Sequence, residues 1–214
     1  EKAKAIDTTA TPKQSVVVNA ASALTKAQSG LLERSLDVVE IPEDSVIELT
    51  QANFDIHMES PAEGTYYRLT ENITIGTYWF GRYSNMNAIL DGNGYTITLN
   101  GSPLWNSIGA NGVIQNLGLK GSASSTRDTG ALAESCNGLI INCWSQVNVS
   151  SEGMNSTKRN TGGLTGNLKS GGAIINSYVS GSVIGKGSTG TGVTGVLAGN
   201  SEENTLIQYG YWLN

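Results

Sequence analysis

Residues 163–178 read GLTGNLKSGGAIINSY, and the same pattern stands at three other places: PLWNSIGANGVIQNLG at 103–118, ALAESCNGLIINCW at 131–144 and VLAGNSEENTLIQYGY at 196–211. Laid over one another, the four segments share an anchor leucine, at Leu104, Leu132, Leu164 and Leu197, with periods of 28, 32 and 33 residues. A second column holds Asn116, Asn142, Asn176 and Tyr209, which follow their leucines by 12, 10, 12 and 12 residues. Fixed columns joined by variable spacing place the insertions in loops. Self-similarity at such a period is the sequence signature of a solenoid.

A patch of small residues with one leucine, a turn, and a short β-branched run cannot bury a core alone, but stacked copies can. The expected fold is therefore all-β, a right-handed parallel β-helix with a small N-terminal helix and strand cap. Like residues of successive coils would lie about 4.8 Å apart, with backbone hydrogen bonds running coil to coil. Asn116, Asn142 and Asn176 would stack as a ladder of side-chain amides, which Tyr209 breaks. Glycines beside the leucines suit tight corners.

Outward from the repeats, composition divides the chain near Pro61. Gly30 is the only glycine before that point, and the other 26 of the 27 lie from Gly64 to Gly210. Residues 1–60 carry 10 acidic and 5 basic groups, residues 61–214 carry 8 of each, so the net charge of −5 belongs to the N-terminal part. Residues 1–60 read as a lead-in and cap. A polar stretch comes first, then a helix pattern over 20–35 with Leu24, Leu31 and Leu32 on one face, then β-like runs at 36–41 and 45–50 around the turn Pro42-Glu43-Asp44. Residues 61–214 read as the β-helix, expected to continue beyond the chain. An electroneutral body offers no basic stripe for phosphates, which argues against nucleic acid. No run of 18 apolar residues is present, so membrane insertion is not expected. Cys136 and Cys143 lack the paired spacing of a zinc site; a disulfide would need the chain to fold back between them at Asn137-Gly138, and two free, partly buried thiols are the plainer reading.

The repeats resemble the GLUG-type repeats of bacterial surface proteins, including regions attached to immunoglobulin A peptidases. The resemblance begins at residues 66–75 (YYRLTENITI) and 88–99 (AILDGNGYTITL) and leads into 103–119 (PLWNSIGANGVIQNLGL), covering roughly residues 45–214. Two positions depart from the pattern. Trp105 stands where a smaller aromatic is usual, and Glu134 stands where the aligned segments have Gly166 and Gly199. The resemblance implies a β-helix in a secreted or cell-surface setting and specifies no chemistry.

With a single histidine, His57, and no H-E-x-x-H, the chain assembles neither a zinc peptidase site nor a serine or cysteine triad. No metal or cofactor is expected. A β-helix carbohydrate enzyme needs two carboxylates facing one groove, and the candidates are Asp128, Glu134 and Glu152, with solvated loop charges as the plainer account. Two aromatic groupings suit sugar faces better. Tyr78, Trp79, Phe80 and Tyr83 bracket Arg82 between strands and are expected to be exposed, forming the candidate ligand-binding set. Trp144, Tyr178 and Tyr211 each follow the asparagine column by two residues; pointing outward this stripe would be a carbohydrate platform, pointing inward core stacking, and alternation with Ile140 and Asn142 favours the interior if no corner intervenes.

The expected function is a non-catalytic binding or adhesion module contacting host or environmental glycans or glycoproteins. The alternatives are part of a glycoside hydrolase or polysaccharide lyase, and a structural spacer of a surface peptidase. Residues 204–214 repeat the asparagine-column strand and stop without a helix, proline or charged edge. The rim of Leu206, Ile207, Tyr211, Trp212 and Leu213 is therefore expected to be covered by another chain or a further domain.

Overall fold

The computed structural model describes residues 38–152, 159–186 and 193–212. The helix pattern over 20–35 lies outside the described residues, as does the start of the first β-like run, whose residues 38–41 form no strand. Two units divide the chain, Glu1–Val39 and Glu40–Asn214, and the second is the solenoid. Its strands pair in parallel and form three long faces. The first face has seven strands: Val46–Leu49, Tyr66–Leu69, Ile89–Asp91, Val113–Gln115, Leu139–Ile141, Ala173–Ile175 and Leu206–Gln208. A second, eight-stranded face is built around Thr96–Gly101, Gly118–Ser125 and Asn148–Glu152, and a third, five-stranded face around Trp105–Ile108, Ala133–Cys136 and Thr165–Leu168. Each coil passes from the third face to the first and then to the second, so the fold is a three-faced parallel β-helix.

The anchor leucines stand one residue before the paired positions Trp105, Ala133, Thr165 and Ala198. That register stacks Leu104, Leu132, Leu164 and Leu197 in one buried column. Burying a side chain of this size contributes about 1.5–3 kcal/mol. A second inward column on the first face runs Tyr67, Leu90, Ile114, Ile140 and Ile174. Strands of three residues suffice because only the middle one needs to point inward.

The corner after the first face is made by the asparagines. Asn116, Asn142 and Asn176 have φ of 54°, 53° and 48°, the left-handed region that asparagine tolerates better than most residues. Their amides form the ladder expected from the sequence. Asn142 Nδ2 donates to Asn116 Oδ1 at 3.3 Å, Asn176 Nδ2 donates to Asn142 Oδ1, and Asn116 Nδ2 donates to Asp91 Oδ1 at 3.0 Å. Tyr209 takes the same corner at φ 51° and offers no amide.

This corner overturns one expectation. Alternation through Asn142 would put Ile140, Asn142 and Trp144 on one side, but the left-handed residue shifts the parity by one. Cys143 and Ser145 are buried, whereas Trp144 and Tyr178 are half-exposed and Tyr211 is exposed. The aromatic stripe therefore faces outward.

Toward the N-terminal end, the turn at Pro42-Glu43-Asp44 continues as a 3-10 turn, Glu43–Ser45, and the run at 45–50 becomes the strand Val46–Leu49. The helix of the cap is Phe54–Met58, which the sequence pattern did not single out. Phe54 and Met58 are buried, and Phe54 packs on Trp79 with ring centroids 5.6 Å apart. Trp105 is large because it reaches this helix: its indole N–H donates to Met58 O at 3.1 Å.

Cys136 aligns with Ile108 and Leu168 on the third face, while Cys143 follows the asparagine corner. Both are buried thiols, not bonded to each other. Burial pushes the Cys143 thiol up to about 12, so little thiolate exists near neutrality. The native protein is expected to leave both thiols unmodified by an aromatic disulfide reagent at pH 8 and to release two equivalents after unfolding. A second outcome tests the corner. Asn142→Ala is expected to cost about 2 kcal/mol, from left-handed strain plus lost ladder bonds, and Asn142→Gly about 1 kcal/mol, because glycine restores only the backbone freedom. Urea unfolding of the two variants measures the difference.

Candidate functional site

The loop carrying Tyr78, Trp79, Phe80, Arg82 and Tyr83 is anchored by a single inward residue. Trp79 is 2% exposed, and its indole N–H donates to Leu104 O at 2.6 Å. Gly81 packs on that indole, where a Cβ would lie 2.2 Å from a ring carbon. With Trp79 turned inward, its neighbours turn out: Tyr78 is 87%, Phe80 60% and Tyr83 67% exposed. The sequence expectation that the whole cluster is exposed is thus corrected at Trp79, which belongs to the core. Alternation around an inward tryptophan would have been the signal, but a loop gives no period from which to read it.

Arg82 is held beside Tyr83. One guanidinium nitrogen donates to Ser102 Oγ at 3.0 Å and another to Tyr83 Oη at 2.7 Å, while the guanidinium carbon lies 4.8 Å from the Tyr83 ring centroid. Arg82 and Tyr83 form one wall of a groove of about 370 Å3 that is also lined by Ser102, Pro103, Ser124, Thr126, Arg127, Glu134 and Glu152. The structure therefore brings part of the aromatic set and two of the three candidate carboxylates to one place. The sequence kept these groups apart.

Asp128 is not among the lining residues. Its Oδ1 accepts the Asn160 N–H at 2.8 Å and its Oδ2 accepts from the Asn167 amide, so both oxygens tie neighbouring coils together.

Glu134 explains why the groove exists. It occupies the position that is Gly166 and Gly199 in the next two coils. A Cβ on Gly166 would meet the backbone of Asp128 and Thr129 within 3.0 Å, and one on Gly199 would meet that of Asn160 and Thr161 at 2.7 Å or less. In those coils a corner segment crosses over the third face and leaves no room for a side chain. Before Trp105–Ile108 the connection from Thr96–Gly101 is only Ser102, Pro103 and Leu104, so nothing crosses Glu134 and the space stays open.

Arg127 Nη1 lies 3.4 Å from Glu134 Oε2. Burial nevertheless dominates and holds the Glu134 carboxyl above its ordinary value, with Arg127 opposing the shift. Among the described residues no group of three or more His, Cys, Asp or Glu could hold a metal.

A carboxyl whose folded pKa is raised contributes stability that is full below its unfolded value and lost as pH rises through the folded value. Glu134→Gln removes that loss. The variant is expected to gain stability relative to the wild type at pH 7, and the gain should shrink as pH falls below the ordinary glutamate value of 4.5. Urea midpoints of the two proteins at pH 4 and pH 7 measure it, and a pH-independent difference would contradict the assignment.

A scan against protein-family models gives no match, and a search of the curated proteins gives none either. Among solved structures, the chain is similar to the crystal structure of a "putative immunoglobulin A1 protease" from Bacteroides ovatus, with a TM-score of 0.57 and 15% identity. The match covers 80% of this chain and 68% of that one. At that identity the likeness is one of fold: the parallel β-helix has a counterpart in a bacterial protein.

Proposed function

We propose that the solenoid is a non-catalytic glycan-binding module of the GLUG-repeat kind, acting outside a bacterial cell on host or environmental glycans or glycoproteins. The observation that carries this reading is the groove, where the exposed ring of Tyr83 and the charged side chains of Arg82, Arg127, Glu134 and Glu152 share one lining with serine and threonine hydroxyls. A sugar presents an apolar C–H face and a rim of hydroxyls. The Tyr83 ring suits the first, and carboxylates and guanidinium groups suit the second. Hydrogen bonds to charged groups contribute about 1.5–3 kcal/mol each, so a few of them decide which hydroxyl pattern fits. Tyr78 and Phe80 extend the aromatic surface along the same loop. The bacterial fold counterpart and the absence of a membrane-crossing helix among the described residues are compatible with an external setting.

Carbohydrate cleavage is the second reading, and Glu134 favours it. A carboxyl whose pKa burial raises, sharing a groove with a second carboxylate, here Glu152, is the kind of pair that glycosidic bond cleavage uses. Against it, Arg127 draws the Glu134 carboxyl back toward the ionised form, and Asp128 is committed to the coil joint.

A glycan array with the purified chain, followed by reducing-end analysis of each ligand found, separates the readings. Binding that falls about tenfold or more in Tyr83→Ala and in Arg82→Ala, with no release of reducing ends, is the expected result. Reducing-end release abolished by Glu134→Gln would establish cleavage instead. No ligand on the array would leave the spacer role and sink the proposal. Trp79→Ala is unsuitable as a probe, because it removes a core side chain.

A further inference from the structure

The outward stripe on the second face takes no part in the groove. Pairing places Thr96, Gly118, Trp144, Tyr178 and Tyr211 at one position of successive coils. The Trp144 indole fills the space above Gly118, where a Cβ would meet two of its ring carbons at 2.3 and 2.5 Å. Trp144 and Tyr178 are nearly parallel, 12° apart with centroids separated by 6.3 Å. That separation exceeds the rise between coils of about 4.8 Å. The rings are therefore slipped past one another, and each keeps part of its face uncovered.

Polar columns border the stripe on both sides. Two residues beyond it stand Thr98, Lys120, Gln146 and Ser180, kept in order by the Thr98–Lys120 pair and by the Gln146 and Ser180 N–H bonds to Leu119 O and Ser145 O, each 2.8 Å. Lys120 Nζ lies 5.7 Å from the Trp144 ring centroid. Two residues before the stripe runs the amide ladder of Asn116, Asn142 and Asn176.

We infer that this stripe is a second, independent carbohydrate site, a platform on which a linear glycan lies along the solenoid axis. Its successive sugar rings stack on Trp144, Tyr178 and Tyr211, and its hydroxyls bond to Lys120, Gln146 and the ladder amides. The width selects the occupant. A stable protein partner needs roughly 800 Å2 of contact on each side with an apolar centre, whereas this aromatic strip is one ring wide and polar on both margins. A sugar ring has that cross-section, apolar across its face and polar at its rim. The spacing selects a chain over a single sugar, because three rings repeat in register with the coils.

Affinity gel electrophoresis through xylan, barley β-glucan, mannan and pectin tests the inference with the whole chain. At least one polymer is expected to retard the wild type. Tyr178→Ala and Tyr211→Ala should each weaken retention by about tenfold, while Ile56→Ala, an exposed position on the helix Phe54–Met58 outside both the stripe and the groove, leaves it unchanged. Tyr211 is exposed, so its removal leaves the core intact, and circular dichroism confirms that each variant is folded. Gly118→Ala, which displaces the Trp144 ring without deleting it, should also weaken retention. No retardation by any of the four polymers, or retardation equal in wild type and both tyrosine variants, overturns the platform. Retention lost in Tyr83→Ala alone would support the groove and reject the stripe, so the two sites fail separately.

Discussion

The left-handed corner at Asn116, Asn142 and Asn176 is the constraint on which the rest of the solenoid depends. A φ near +50° there turns the chain from the first face to the second and shifts the alternation by one residue. That shift puts Cys143 and Ser145 inside and sends Trp144 out. Asparagine meets two demands at once, since it tolerates the left-handed conformation and its amide bridges to the coil before it. An alanine at this corner would meet neither. Tyr209 shows the cost of leaving the pattern: it is a bulky residue at φ 51°, and the hydroxyl it buries has no hydrogen-bond partner among the described residues.

A second constraint acts at the opposite corner, between the second and third faces. There the length of the connection decides whether backbone crosses the third face. Where it crosses, the position beneath must be glycine, as at Gly166 and Gly199. Where three residues suffice to turn, a side chain can stand, and Glu134 does. The groove is thus a gap in a repeating pattern, opened by one short corner and lined by whatever side chains that corner leaves uncovered.

The columns were legible because a solenoid makes equivalent residues touch. Leu132 stacks between Leu104 and Leu164, so the repetition in sequence is the packing itself. The asparagine ladder was legible for the same reason, and the outward turn of Trp144 was not. Alternation rules assume an unbroken strand, and one left-handed residue inverts them without any change in hydrophobic pattern. Asparagine recurring directly after a β-branched run was the available signal, since that residue type favours such corners. The inward turn of Trp79 and the convergence of Arg82 with Glu134 and Glu152 had no signal, because they depend on loop paths between coils. Glu134 was visible as an exception to a glycine column, and that exception proved to mark the open space.

Rigidity follows from this construction and bears on how such a surface recognises anything. Each coil is hydrogen-bonded to the coils on either side along three faces, so a side chain on one coil keeps its position relative to the next. Rings held 6.3 Å apart and 12° from parallel have little freedom left to lose when a ligand arrives, and the entropic cost of ordering them is met during folding. A single sugar gains little from one such ring. A polymer that matches the coil spacing gains from each ring in turn, because its second and third contacts are intramolecular once the first has formed. On the proposed platform, selectivity would rest on the spacing of the repeats more than on the chemistry of any one residue.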